Sequence, residues 1–397
     1  MSSTTRQPEN LGQVQHGPFS WTENAERHVA QWHSEGGWPA PTRVVVGDDT
    51  MTADAAYRLV RAGTAVMWRG DFHNGRQLLS ALGRRIDSRA AGGGSRSGKR
   101  GIRGAHPDLT AAFHRHRSDA FTRAQLLGML LVQLDADYTL SLRRAPDTRL
   151  ACTEAYGSIT EPTVVSLREL VGVLGAHQWR VNGVPVPELH DSIRPHYGVF
   201  SPIRGEYLSL VADAPLPPGG VAFDIGTGTG VLAAILARRG IRHVVATDLD
   251  PRALACAGEN IQRLGLAGSV EIVEANLFPA GRANLVVCNP PWIPAEARAS
   301  TDHAVYDPDS RMLRGFLDGL ADHLEPDGEG WLIISDIAER LGLRSRGELL
   351  DWIEAAGLTV TARLDTRPTH SRASDKNDPL HAARSAEITS LWRLRAA

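Results

Sequence analysis

The chain has 397 residues, of which 42% are apolar and 22% are charged, and its formal net charge is -2. This length favours two domains, and the charge excludes a chain built throughout to bind polyanions. Cys152, Cys256 and Cys288 are too widely spaced for a disulfide framework or a zinc site. No segment approaches the roughly 20 apolar residues of a membrane span, so we expect a cytoplasmic protein with no membrane partner and no bound metal.

The first half, residues 1–190, predicts a mixed α/β domain that recognises the substrate or serves an accessory role. Helices are expected near Ala25–His33 and at Thr52–Arg61, Arg76–Ile86, Asp108–Leu131 and Val165–Leu174. Short strands are expected near Tyr138–Leu142 and Trp179–Val181.

Three consecutive glycines, Gly92 to Gly94, predict a loop between Ala90 and Arg103, because glycine makes regular structure costly. This loop is basic. It can serve as a solvated linker or as an arm that contacts nucleic acid, and both interpretations stay open.

From about Gly219 onward, strands alternate with helices. Seven strands are predicted, at Val221–Ile225, His243–Asp248, Val270–Glu274, Asn284–Cys288, Trp331–Ser335, Leu358–Leu364 and Glu387–Leu394. Such alternation predicts a mostly parallel, doubly wound α/β sheet, which binds ligands at the carboxyl ends of its strands.

A glycine-rich turn follows the first of these strands, where Asp224 precedes the run G-T-G-T-G. Glycines let the backbone approach a ligand closely, and the helix that follows presents free N–H groups. The G-x-G-x-x-G spacing of dinucleotide sites is absent. The residues expected to bind a cofactor here are Asp224, Gly226, Thr227, Gly228 and Gly230.

Polar side chains also end the next two strands. Asp248, with Leu249 beside it, stands where a carboxylate can accept hydrogen bonds from ribose hydroxyls, whereas Asp250 before a proline is expected to cap the next helix. After the third strand, the Asn276 amide is expected to bind an adenine edge while Leu277 packs on its face. The alternatives are that both acids only cap helices or face solvent, and that the third segment is an ordinary loop.

The fourth strand ends in Asn289-Pro290-Pro291-Trp292, and we expect these four residues to be catalytic. Two prolines stiffen the backbone. The Asn289 side-chain oxygen and the Pro290 carbonyl can then both accept hydrogen bonds from one planar –NH2 group, which leaves the nitrogen lone pair free to attack a methyl donor. Trp292 can stack on a flat substrate.

These four segments, in this order, resemble the class I S-adenosylmethionine-dependent amino-methyltransferases with an N-P-P-aromatic signature. The resemblance covers Ile193 to Leu394 and implies a Rossmann-like, seven-stranded methyltransferase domain at 191–397 that uses S-adenosyl-L-methionine. Carried over by position, Asn289 and Pro290 would hold the target amine, and the cofactor would be held by Asp224, Gly226, Gly228, Asp248 and Asn276. Asn276 stands where the family often has Asp, and Trp292 replaces a commoner Tyr or Phe.

Two branches of this family each resemble a different segment of this chain. The segment from Asn289 to Pro294, N-P-P-W-I-P, resembles the protein-glutamine methyltransferases of release factors, and Pro202–Glu206 is loosely similar to their P-R-x-x-E segment. The segment Tyr197–Ser201 is similar to the G-V-F-S of ribosomal RNA guanine-N2 methyltransferases.

The resemblance implies methyl transfer to a planar amino or amide nitrogen, so the acceptor would be RNA, DNA or a protein amide. A small-molecule N-methyltransferase and a catalytically inactive binding module with this fold are the alternatives. The basic residues of Thr366–Ser385 leave open a solvated hairpin or a contact with nucleic acid.

Overall fold

The computed structural model describes residues 15–94, 108–201, 205–297, 304–368, 375–376 and 378–397. The described residues form two compact units. The first contains 15–94 and 115–175, and the second contains 108–114, 176–201, 205–297 and the described residues from 304 onward. The domain boundary expected after residue 190 stays a prediction.

The first part of the chain alternates strands and helices. Its strands are β1 (Gln15–Glu23), β2 (Glu26–Ser34), β3 (Val44–Gly47), β4 (Ala65–Trp68), β5 (Leu130–Leu134) and β6 (Thr163–Ser166). Its helices are α1 (Ala53–Arg61), α2 (Phe72–Gly94), α3 (Leu109–Gly128), α4 (Arg149–Tyr156) and α5 (Leu167–Asn182). Among the described residues the strands form one mixed sheet in the order β1-β2-β6-β5-β4-β3.

The first two strands form a hairpin, so the helix expected near Ala25–His33 is wrong. Asn24 and Ala25 have φ angles of 51° and 65°, and two positive φ angles in a two-residue turn match the twist of the flanking strands. The residues buried on one face of this hairpin are Phe19, Trp21, Ala30 and Trp32. Burial of every second residue overrides the weak helical pattern.

The other expected helices in this part of the chain exist, with shifted ends. Thr52 accepts a hydrogen bond from the Ala55 N–H and so caps α1. Helix α3 ends at Gly128, before the expected Leu131, because the apolar residues that follow form β5. Helix α5 begins at Leu167, and Val165 belongs to β6.

Three other expectations for this part of the chain are wrong. No strand forms at Tyr138–Leu142, and Trp179–Val181 lies in α5, whose buried residues follow a helical spacing. Helix α2 continues to Gly94, so the expected start of a loop at Ala90 is wrong. Helix elongation adds one hydrogen bond for each residue fixed, which offsets part of the cost of glycine. Residues 95–103 lie outside the described residues.

The rest of the chain begins with β7 (Val184–Val186), β8 (Asp191–Ile193) and α6 (Glu206–Asp213). It continues with β9 (Val221–Ile225), α7 (Val231–Arg238), β10 (His243–Asp248), α8 (Pro251–Arg263), β11 (Val270–Glu274) and β12 (Ala283–Cys288). The final elements are α9 (Arg311–His323), β13 (Leu324–Ser335), α10 (Ile337–Arg340), α11 (Arg346–Ala355), β14 (Leu358–Thr366), α12 (His381–Ser385) and β15 (Thr389–Ala396).

Seven of these strands form a sheet in the order β11-β10-β9-β12-β13-β15-β14. Neighbours run parallel except that β15 is antiparallel to both β13 and β14. This arrangement confirms the expected Rossmann-like, seven-stranded α/β domain. Each predicted strand is present, with ends that agree closely for the first four.

Both faces of this sheet are buried. In β13, Trp331 and Ile333 pack into the apolar cluster that includes α6 and α7, whereas Leu332 and Ile334 pack into the cluster that includes α9. Strands covered on both faces read as continuous apolar runs, which is why the sequence identified them. In the register of the central strands, Ile225 of β9 pairs with Cys288 of β12. The segments that follow these two strands therefore meet at one edge.

No helix among the described residues combines the length and the apolar character that crossing a membrane requires.

Candidate active site

Asp224 lies near the end of β9 and is fully buried. Its Oδ2 accepts hydrogen bonds from the Thr227 hydroxyl at 2.7 Å and from the Ala233 N–H at 3.0 Å. Its Oδ1 has no hydrogen-bond partner among the described residues. Burial raises the pKa of Asp224 to about 6, and the nearby charge of Asp248 acts in the same direction. Asp224 therefore presents a buried acceptor that a donor from a ligand would satisfy.

The turn after β9 needs glycines because its backbone adopts positive φ angles and because other residues pack closely against part of it. Gly226 and Gly230 have φ angles of 70° and 79°, and a Cβ at Gly226 would lie 2.5 Å from the Met312 side chain. Gly228 also has a positive φ, 55°, but a Cβ there would meet no described atom within 4 Å. The turn is thus closely packed at its start and end and open at its middle.

Asp248 ends the neighbouring strand and contacts the same turn. Its Oδ2 accepts from the Gly228 N–H at 3.0 Å, and its Oδ1 accepts from the Asp250 N–H at 3.0 Å. Leu249, beside Asp248, is 57% exposed. Asp250 accepts from the Arg252 N–H at 2.9 Å and caps α8, so its expected capping role is confirmed.

Leu277, in the loop after β11, contacts the protein through both its carbonyl and its side chain. Its carbonyl accepts a hydrogen bond from the Thr247 hydroxyl at 2.6 Å, and its side chain packs against α9, close to Gly315. Leu277 also adopts a φ of 68°. Asn276 is exposed. The expected contacts of these two residues with adenine stay predictions.

The Asn-Pro-Pro-Trp segment folds back on itself at the end of β12. The Trp292 indole Nε1–H donates to Asn289 Oδ1 at 2.9 Å, and Asn289 is also hydrogen-bonded to the phenolic oxygen of Tyr207. Pro290 is buried, whereas Asn289, Pro291 and Trp292 are half-buried. The stacking of Trp292 on a substrate stays a prediction, since its ring packs against apolar clusters of the protein itself.

Tyr207 is a site residue that the sequence did not reveal. It lies on α6, is 3% exposed, and has a pKa raised by burial and by the charge of Asp224. Its hydroxyl therefore keeps its proton at neutral pH. A tyrosine in an amphipathic helix gives no local signal that it will reach the end of β12.

Asp307 is a second site residue, and it was not predicted from the sequence. It is 5% exposed, and its carboxylate accepts from the N–H groups of Met312 at 3.0 Å and Leu313 at 3.1 Å. These bonds hold the start of α9, which places Met312 against Gly226. The run D-P-D-S at 307–310 is a helix-start signal that could have been recognised.

The segments expected to contact nucleic acid are only partly described. Arg384 forms an ion pair with Asp378, so this cation is already neutralised. Residues 369–374, 377 and the upstream 202–204 lie outside the described residues. In the Tyr197–Ser201 segment, Gly198 has a φ of 81° and forms a turn.

Comparison with known proteins links the second unit to one family. Residues 192–341 match the family model of the methyltransferase small domain. A ribosomal protein L11 methyltransferase of Pelotomaculum thermopropionicum is 40% identical over 148 residues, 37% of this chain and 40% of that protein. A release factor glutamine methyltransferase of Cereibacter sphaeroides is 35% identical over 179 residues, 42% of this chain and 61% of that protein. The chain thus spans less than two thirds of either relative.

Solved structures are similar at lower identity. A methyltransferase from Thiobacillus denitrificans, described as S-adenosylmethionine-dependent and solved with S-adenosyl-L-homocysteine, is 16% identical with a TM-score of 0.36. The similarity covers 54% of this chain and all of that chain (100%).

Proposed function

We propose that this chain, whose residues 192–341 belong to the methyltransferase small domain family, methylates a glutamine amide of a protein with S-adenosyl-L-methionine as the donor. The family match confirms the expected class I methyltransferase domain. The observation that carries the proposal is the pair of acceptors at the end of β12, the Asn289 side chain beside the rigid, buried Pro290. Two relatives named release factor glutamine methyltransferase, 35% and 45% identical over their matched segments, support a protein amide as the acceptor.

The residues at the ends of β9 and β10 fit this cofactor. An unsatisfied buried acceptor such as Asp224 Oδ1 costs about 1–3 kcal/mol, and an ammonium group of a ligand would remove that cost. Each Asp248 oxygen keeps a lone pair for a ribose hydroxyl, and the exposed Leu249 offers an apolar surface to an adenine ring. The open space at Gly228 lets a ligand approach the backbone.

The cofactor, when bound, supplies an electrophilic methyl group. An amide nitrogen is a poor nucleophile because its lone pair is delocalised into the carbonyl. Asn289 Oδ1 and the Pro290 carbonyl would each accept one N–H of the acceptor, and these bonds strengthen as positive charge develops on the nitrogen. Orientation of the nitrogen is the second contribution of this segment. After transfer, the nitrogen releases its proton to water.

A transfer assay with labelled methyl groups tests the proposal. Purified protein is incubated with fractionated cell protein, RNA and metabolites, and labelled proteins are hydrolysed for amino-acid analysis. We expect N-methylglutamine in the protein fraction. Label confined to RNA or to metabolites would contradict a glutamine acceptor.

Calorimetric titration with S-adenosylhomocysteine tests the cofactor site separately, with NAD as the control. We expect binding of the first compound only. A protein that binds neither compound would instead be a non-catalytic binding module.

One observation in the first unit favours an RNA base as a second candidate acceptor. A cleft of about 640 Å³ is lined in part by Arg76 and Arg84 of α2. Neither is paired with a carboxylate among the described residues, and Arg76 lies over the Phe72 ring. In contrast, the neighbouring Arg85 and Arg123 form ion pairs at 2.6 Å and 2.8 Å.

Unpaired arginines in a cleft fit phosphate groups, and phosphate contacts make binding strongly dependent on salt. Titration of the full chain with a labelled poly-uridine oligonucleotide at increasing salt distinguishes the candidates. A steep fall in affinity with salt that Arg76→Gln and Arg84→Gln reduce would favour RNA. Weak binding that both variants leave unchanged would favour protein.

A further inference from the structure

We infer that Tyr207 and Trp292 are positioning residues that fix the orientation of the Asn289 carboxamide toward the methyl acceptor. The inference rests on the proposed function, because it assigns Asn289 Oδ1 to an N–H of that acceptor. It adds a residue of α6, outside the Asn-Pro-Pro-Trp segment, to the acceptor site.

A carboxamide has two ends of similar shape and opposite hydrogen-bonding character. The oxygen accepts two hydrogen bonds, and the –NH2 group donates two. If the Asn289 side chain turned by half a rotation, its –NH2 group would face the –NH2 group of the acceptor. Two donors would then oppose each other, and the acceptor would not be held.

Trp292 identifies one end of the carboxamide. An indole N–H can only donate, so the atom 2.9 Å from Trp292 Nε1 must be the oxygen of Asn289. One lone pair of that oxygen remains for the acceptor. The Trp292 ring packs against apolar side chains that include Ile337 and Leu341, and this packing holds the indole N–H in place.

Tyr207 occupies the other end. The hydrogen bond from Asn289 lowers the pKa of Tyr207, as a donor to the phenolic oxygen does, so it uses the Asn289 –NH2 group. Tyr207 is 3% exposed and packs into the core beside α7. Its hydroxyl is therefore a fixed partner, and a hydrogen bond lost at a buried group is costly.

Single substitutions separate positioning from folding. Tyr207→Phe and Trp292→Phe keep an aromatic ring and remove only the polar group that contacts Asn289. We expect each to lower kcat on the order of 10-fold, as for the loss of one net hydrogen bond. The KM for the cofactor and the affinity for S-adenosylhomocysteine should stay within about twofold, since neither side chain is assigned to that ligand.

Tyr138→Phe is the matched control. Tyr138 is 2% exposed and donates to the Gly157 carbonyl at 2.9 Å in the first unit. Its variant should lose a similar amount of thermal stability and keep full kcat. If Tyr207→Phe lowers kcat no more than Tyr138→Phe does, Tyr207 has only a structural role and the inference is overturned.

An NMR measurement tests the geometry without turnover. The Trp292 indole resonance, assigned by its loss in Trp292→Phe, should shift and exchange faster with solvent in Asn289→Ala. The Asn289 side-chain amide resonances should shift in Tyr207→Phe. Unchanged resonances would overturn the inference. If these resonances shift as expected but the wild-type protein methylates no glutamine, the positioning of Asn289 by Tyr207 and Trp292 is supported. The proposed function is then wrong.

Discussion

Single residues at the carboxyl edge of the sheet differ in whether their polar groups are satisfied. Asp248 uses both oxygens on backbone N–H groups, and Asn289 is held by two side chains. Asp224 is the exception, since Oδ1 has no partner among the described residues although the residue is fully buried. A ligand group that donates to Oδ1 would satisfy it, which is why Asp224 is central to the predictions at this scale.

Asn289→Ala should lower kcat by about 100-fold or more, because it removes an acceptor aimed at a developing charge. The affinity for S-adenosylhomocysteine should change little. Single-turnover kinetics and calorimetry measure the two quantities. Loss of cofactor binding with normal turnover of bound cofactor would mean that Asn289 is misassigned.

The Asp224 carboxyl should make stability depend on pH. Its pKa is about 6 in the folded protein against 3.8 ordinarily, so folding takes up a proton between these values. The stabilisation is complete below the lower value and is lost as pH rises through the upper one. Between about pH 4 and pH 8, the wild type should lose roughly 3 kcal/mol more than Asp224→Asn.

Urea unfolding at several pH values measures this difference. The same Asp224→Asn variant should bind S-adenosylhomocysteine weakly, because a carboxamide lacks the negative charge that favours an ammonium group. Parallel pH profiles for the two proteins would rule out a titrating Asp224.

At the scale of elements, the turn between β9 and α7 has packed glycines at its two ends and an open position between them. The start of α9 lies against Gly226, and α8 lies against Gly230 at Ala257, 3.2 Å from a Cβ. The middle of the turn is open. Adding a methyl group at different glycines therefore tests different properties of one element.

Gly228→Ala should lower the stability by only about 1–2 kcal/mol, which is the usual cost of placing an alanine in the left-handed backbone region. It should lower the affinity for S-adenosylhomocysteine at least about 10-fold, because the new methyl group enters the ligand space. Gly226→Ala is the comparison, since its Cβ would meet Met312 and add a packing cost. Thermal melts measure the stability of both variants, and calorimetry measures their affinity for S-adenosylhomocysteine. Equal affinity for wild type and Gly228→Ala would show that no ligand approaches there.

At the scale of the whole molecule, the second unit includes a segment from the first half of the chain. Phe113 is 2% exposed and packs against Ile337, Leu341 and Leu380, and the Thr110 hydroxyl donates to the Leu341 carbonyl at 2.7 Å. Residues 108–114 thus complete the apolar cluster that also contacts Trp292. The second unit is therefore not one continuous stretch of sequence.

Phe113→Ala should destabilise the second unit by about 3–5 kcal/mol through the cavity it leaves. Hydrogen exchange followed by mass spectrometry should show faster exchange at 337–343. Phe121→Ala, on the same helix but in the first unit, is the control and should leave that segment unchanged. Equal exchange in both variants would contradict the packing of Phe113.

The sequence alone determined the strands of the second unit and the turns that follow them. Apolar runs such as Val221–Ile225 and the glycine and proline residues after them are local signals, because burial on both faces and backbone restriction act within a few residues. The site residues on those turns could be predicted for the same reason. The hairpin at 15–34 was missed because its few alternating residues also suit a short helix.

Only the tertiary structure decided which distant residues complete the site. Tyr207 reaches Asn289, Met312 of α9 lies against Gly226 of the glycine turn, and Phe113 joins the second unit. Each contact joins residues far apart in the chain and depends on how helices pack on the sheet. Packing is set by the shapes of many side chains together, so no local pattern encodes it.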